Sequence, residues 1–216
     1  VVSQDGTTLI FQSGNAELLV YRNIADADSP KPVARLKIPR SAAQLEVSAS
    51  GTVICAAGRM FRSVWKSDAG SYKQVNLPDT EVQSPRTKKC QVTPNGQHLF
   101  LFSDVGKRSQ PESVVEVFDL SGAVPQSMVL RPFQFWPADN RPEITDAVFL
   151  PDGAGVVTLT SSANLRLLPL SVEDGQVTFQ AHVKGMPLDI AYPKIDPTKG
   201  LKDETNFLPQ EIFVSQ

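Results

Sequence analysis

The 216-residue sequence predicts an all-β fold built from repeated units of four short antiparallel strands, on three observations. A turn signal ending in glycine recurs at Gly6, Gly51, Gly96, Gly153 and Gly200, at intervals of 45, 45, 57 and 47 residues. Large side chains keep step with it, since Tyr21, Trp65, Phe118 and Leu168 fall 44, 53 and 50 residues apart. Helical periodicity is nearly absent: the apolar residues come in short runs bounded by turn residues, the length and punctuation of strands. Self-similarity at a fixed period is the signature of a repeat architecture, in which each unit buries its apolar face against its neighbours.

The elements follow in order. Val1 and Val2 read as the end of an inner strand, and Ser3-Gln4-Asp5-Gly6 as the tight turn after it; Asp-Gly and Asn-Gly supply the positive φ such turns require. Thr8 to Phe11, Leu18 to Tyr21 and Val33 to Ile38 complete the first unit. The second has the turn Ser48-Ala49-Ser50-Gly51 and runs at Thr52 to Ala56, Phe61 to Trp65 and Tyr72 to Leu77. The third has Thr93-Pro94-Asn95-Gly96, then His98 to Phe102, Val114 to Phe118 and Ser127 to Leu130. The fourth has Leu150-Pro151-Asp152-Gly153, then Gly155 to Leu159, Leu165 to Leu168 and Gln176 to Gln180.

Four strands per unit is the pattern of a β-propeller blade. The blades are placed at 1–40, 41–83, 84–138 and 139–185, with a partial one at 186–216. A ring closes on whole blades, and the chain opens on Val1 without an initiator Met or leader peptide. The expectation is therefore a segment of a larger ring, completed by further sequence or by a second chain. An antiparallel sandwich is the competing architecture, but it does not require a glycine at a near-constant interval.

Val117-Phe118-Asp119-Leu120 resembles the Trp-Asp element of WD-repeat propellers, with Phe in place of Trp, and Val64-Trp65-Lys66 and Val20-Tyr21-Arg22 stand at the corresponding places. The family's Gly-His element has no counterpart. The resemblance implies that the links between blades share one face with the loops joining second and third strands.

Composition narrows the function. With 21 basic and 23 acidic residues the net charge is −2, which argues against a general nucleic-acid or membrane-surface binder. The longest apolar runs, such as Ala147 to Leu150, fall far short of the ~18 residues of a membrane span. Two His, His98 and His182, and two Cys, Cys55 and Cys90, leave little material for a nucleophile or a metal site. No Cys-x-x-Cys, Walker or Gly-x-Gly-x-x-Gly pattern occurs. No catalytic residue, metal or cofactor is expected. The cysteines read as buried free thiols, which favours a reducing intracellular compartment.

Local charge is less even than the total. Residues 51 to 110 carry nine basic and four acidic side chains, and residues 111 to 216 carry seven and fourteen. On the face implied by the resemblance, Arg59, Lys107 and Arg108 fall in loops between strands, and Arg86, Lys88 and Lys89 in the link between blades. The next link reads Arg131-Pro132-Phe133-Gln134-Phe135-Trp136-Pro137-Ala138-Asp139-Asn140-Arg141-Pro142. Arg131, Trp136 and Arg141 there are of the types that dominate interface energetics. One reading is a docking platform for an acidic or phosphorylated protein segment. The other is that Phe133 and Phe135 finish an outer strand and the charges are solvated. The function expected is a non-catalytic protein-interaction scaffold. One alternative is a propeller enzyme of lactonase, hydrolase or quinoprotein-dehydrogenase type, with Asp146 and Asp189 as funnel carboxylates. A second is a structural segment completing a propeller with another chain.

Overall fold

A computed structural model describes residues 1–23, 31–58, 61–82, 85–106, 112–132, 143–150, 155–161, 165–173, 176–179 and 186–187. Every regular element among them is a strand. They fall into two compact units, Val1–Arg141 and Pro142–Gln216.

The first unit contains three antiparallel sheets. β1 (Thr8–Ser13), β2 (Glu17–Arg22) and β3 (Ala34–Lys37) form the first, in that order. Residues 1–3 add an inner edge to it through a Val2–Leu9 bridge and a 2.8 Å bond from Ile10 N–H to Val1 C=O, as the sequence predicts. β4 (Gln44–Val47), β5 (Val53–Gly58), β6 (Phe61–Asp68) and β7 (Ser71–Val75) form the second. β8 (Arg86–Val92), β9 (His98–Val105), β10 (Glu112–Asp119) and β11 (Gln126–Leu130) form the third.

β5 shows how the sheets stack. Successive side chains of a strand point to opposite faces, and both faces of β5 are covered. Ile54 and Ala56 pack with Trp65 against Ile10, Leu18, Val20, Leu36 and Ile38 of the first sheet side. Val53, Cys55 and Ala57 pack with Val64 against Cys90, Val92, Leu99, Leu101 and Phe118 of the third. A two-sheet sandwich has no layer covered on both sides, so this stacking sets it aside in favour of blades.

The recurrent turns knit the stack along one edge. Gly6, Gly51 and Gly96 take φ of +70°, +70° and +71°, the conformation their Asp-Gly-type signals predict. Asp5 N–H donates to Ala49 C=O at 3.1 Å, and Ala49 N–H to Pro94 C=O at 3.2 Å, so each turn is bonded to the next. The contact leaves no room for a side chain at Gly51, where a Cβ would lie 2.0 Å from Thr8 Oγ1.

In the second unit, β12 (Ile144–Phe149), β13 (Gly155–Thr160), β14 (Leu165–Glu173) and β15 (Gln176–Phe179) follow one another across a sheet. The short β16 (Met186–Pro187) pairs with the first half of β14 and β15 with its second half. Residues 188–216, where a further partial blade was expected, lie outside the described residues.

Candidate functional site

Three described sheets carry a shared device at the turn. Three residues before each glycine stands a hydroxyl: Ser3, Ser48 or Thr93. Its oxygen accepts from the N–H five residues on, at 2.9 Å from Thr8, 3.0 Å from Val53 and 2.9 Å from His98. Each N–H would otherwise sit unpaired at the mouth of a hairpin, and a buried unpaired donor is costly. At the fourth turn Leu150 occupies that position, and the bond from its N–H to Gly155 C=O, at 2.9 Å, remains.

Basic side chains form a second set of links between sheets. Arg22, at the end of β2, reaches Tyr72 OH at 3.0 Å and Ser67 Oγ at 3.3 Å and lies over the Tyr72 ring. Lys66, at the corresponding place on β6, donates to Leu120 C=O at 3.0 Å. Arg62 on β6 crosses to the third sheet, where it donates to Glu116 Oε1 at 2.7 Å and lies over the Phe118 ring. Glu116 has no exposed surface, and Thr80 Oγ1 donates to the same oxygen while Oε2 has no partner.

The residues expected to make a docking face divide accordingly. Arg86, Lys88 and Lys89 lie on β8 rather than in a link: β8 is the edge strand of its sheet, and edges tolerate charge that a central strand would not. The pairing with β9 slips between Thr87 and Lys89, leaving Lys88 as the extra residue of a bulge. Bulges re-aim side chains, and Lys88 Nζ lies 2.8 Å from Asp104 Oδ2, a carboxylate only 2% exposed. Arg131 donates to Glu112 Oε2 at 2.9 Å and stands 3.4 Å from Glu81 Oε1. Arg86 and Lys89 are partly buried, and Arg86 stands opposite Asp104 across the strand pair. Arg59, Lys107, Arg108, Trp136 and Arg141, with Phe133 and Phe135, lie outside the described residues.

Lys88, Arg131 and Arg62 thus all face acids of their own chain, two of which, Glu112 and Glu116, belong to the acidic half of the sequence. The basic and acidic stretches seen in linear order interleave in the sheet.

Asp146 is buried on β12 beside a bulge, and its Oδ1 accepts from Ala147 N–H at 2.9 Å. Asp189 and His182 lie outside the described residues. His98 stands directly across from Asp119. Burial pushes the His98 imidazole below its ordinary value, with Asp119 opposing. Burial works to raise Asp119, but hydrogen bonds from Ser121, with His98 and Lys66 nearby, hold it below the usual carboxylate value. Among the described residues no group of three His, Cys, Asp or Glu could hold a metal, and no helix is long and apolar enough to cross a membrane.

No protein-family model and no curated protein matches the chain. Solved structures do. The β-propeller domain of Cps50 (Swd1) from Myceliophteria thermophila superposes with a TM-score of 0.55 at 14% identity, over 83% of this chain and 61% of that one. A protein of Bacteroides fragilis NCTC 9343 provisionally named a 6-phosphogluconolactonase gives 0.53 at 11%, over 83% and 52%. The chain therefore has a β-propeller fold, and it spans between half and two thirds of the length of these neighbours.

Proposed function

We propose that the chain is a non-catalytic scaffold that docks an acidic or phosphorylated protein segment. The observation that carries this reading is the interlocked stack itself. Turns bonded to turns and basic side chains bonded across sheets make a rigid frame, and rigid frames let projecting loops hold a binding geometry. The docking residues are Arg86, Lys88 and Lys89 on β8, the edge strand of the third sheet, with Arg131, where Lys88 and Arg131 are oriented by their acids. Arg59, Lys107, Arg108, Trp136 and Arg141 are counted with them on the sequence reading alone. Two free, buried cysteines support a reducing intracellular setting.

The test is binding of a synthetic peptide rich in phosphoserine and Glu, with an uncharged peptide of equal length beside it. Binding of the acidic peptide that weakens with salt, and is lost on joint Arg86→Glu and Lys89→Glu replacement, is the expected result. Equal binding of both peptides, or no effect of the double replacement, overturns the assignment. Turnover of a sugar lactone by the purified chain would replace it with the lactonase reading.

A second reading rests on the outer face of the first sheet. Val2 and Phe11 are 57% and 56% exposed there, beside the half-buried Leu9, Leu19 and Tyr21. Leu9, Phe11 and Tyr21 occupy the places that Ile54, Ala56 and Trp65 hold in the second sheet, where the first sheet covers them. A sheet of a second chain is the occupant we assign to this face. Concentration-dependent association that Phe11→Asp abolishes is expected, and a monomer at all concentrations rules it out.

A further inference from the structure

We propose that Cys55 and Cys90 are a redox pair, which a peroxide converts to a disulfide bolting the second sheet to the third. They are the only two cysteines of the chain. Cys55 lies on the central strand β5 and Cys90 on the edge strand β8, so the bond would join two sheets rather than close a loop within one. Both are free and both are buried in the same apolar cluster between the two sheets, and the Cys55 thiol is near enough to Cys90 to push its titration up.

β5 and β8 face each other across the interface between the second and third sheets, and a disulfide needs the two Cα atoms within about 7 Å. The two sulfurs must close to the ~2.05 Å of an S–S bond. β8 is the strand able to yield: it has one neighbour in its sheet, and its bulge at Lys88 lies two residues before Cys90. The central strand β5, paired on both sides, is the fixed jaw.

The chemistry balances with hydrogen peroxide as oxidant. One thiolate attacks a peroxide oxygen, giving a sulfenic acid and hydroxide; the second thiol displaces hydroxide from the sulfenic sulfur, and the two released hydroxides leave as water. Two thiols lose two electrons and two protons, and one peroxide is reduced to two waters. Peroxide is small and neutral enough to enter a packed interface, which a peptide disulfide is not. The partner thiol and burial hold the Cys90 thiol well above its ordinary value, so the reaction is slow at neutral pH and quickens as pH rises.

The experiment treats the native chain with millimolar peroxide, quenches it, and titrates thiols after unfolding. Two reactive thiols before treatment and none after, an intact mass lower by two hydrogens, and recovery of both thiols with dithiothreitol are expected. The bonded form should also melt several degrees higher, because the bond restrains a long loop of the unfolded chain. Cys55→Ser and Cys90→Ser variants should each retain one thiol or gain oxygen, never lose two hydrogens. Two intact thiols where free glutathione is fully oxidised, oxygen added to both sulfurs, or a disulfide only between chains would each overturn the assignment.

Discussion

Phe11, Ala56 and Leu101 stand at one position of the repeat, five residues beyond the turn glycine, yet Phe11 is 56% exposed while Ala56 and Leu101 are fully buried. Tyr21, Trp65 and Phe118 repeat the contrast, partly buried on the first sheet and covered on the second and third. The first sheet alternates buried and open residues along β1 and β2, whereas β5 is buried at every position. What separates these strands is whether a neighbouring sheet lies on the second face; their own propensities are alike.

The largest effect that should break this equivalence comes from shortening matched side chains. Leu101→Ala leaves a cavity in a closed core and should cost about 4 kcal/mol in denaturant unfolding. At concentrations low enough to keep the chain monomeric, Phe11→Ala should cost less than about 0.5 kcal/mol, as exposed substitutions do. A cost that grows with protein concentration is expected if a second chain covers the face.

The charged link between the second and third sheets comes next. Arg62→Met strands Glu116, fully buried, without its partner and should cost about 3 kcal/mol, at the low end for a buried pair because Arg62 keeps 22% of its side chain in water. Adding Glu116→Leu should recover much of that loss. No recovery would show that Arg62 works through its stacking on Phe118 instead.

The turn hydroxyls sharpen the comparison further. Ser48→Ala removes the acceptor for the buried Val53 N–H and should cost about 1–2 kcal/mol. Ser48→Thr should be near neutral, because the third turn already uses Thr93 in the same role.

The smallest effect is on pH dependence. The native His98 binds its proton less readily than the unfolded one, so the unfolded state carries more protons in the window from about pH 6.5 downward. Stability therefore falls as pH drops through that window and is unaffected by this group above it. His98→Gln should flatten that part of the unfolding profile; an unchanged slope assigns it elsewhere.

Much of the frame was legible in the residues. The turn glycines were read from a recurrent signal ending in Asp-Gly, Ser-Gly or Asn-Gly, and the runs Leu18 to Tyr21, Phe61 to Trp65 and Val114 to Phe118 fall within β2, β6 and β10. The hydroxyls of Ser3, Ser48 and Thr93 sat in the same motifs. Their recurrence at a 45-residue spacing was the available signal, and only the hairpin geometry shows which N–H they serve. The site was less legible. Lys88 read as a loop charge because a bulge is invisible without the partner strand. Arg62 and Glu116 lie 54 positions apart, so no local pattern joins them.

By itself the sequence determined the strand repeat and its turns, since φ preference and apolar alternation act between residues close along the chain. Tertiary structure alone decided which faces are covered, which cations meet which acids, and that Cys55 and Cys90 share one buried cluster. Those depend on contacts across strands and between sheets, whose partners are well separated along the chain and meet only through the fold.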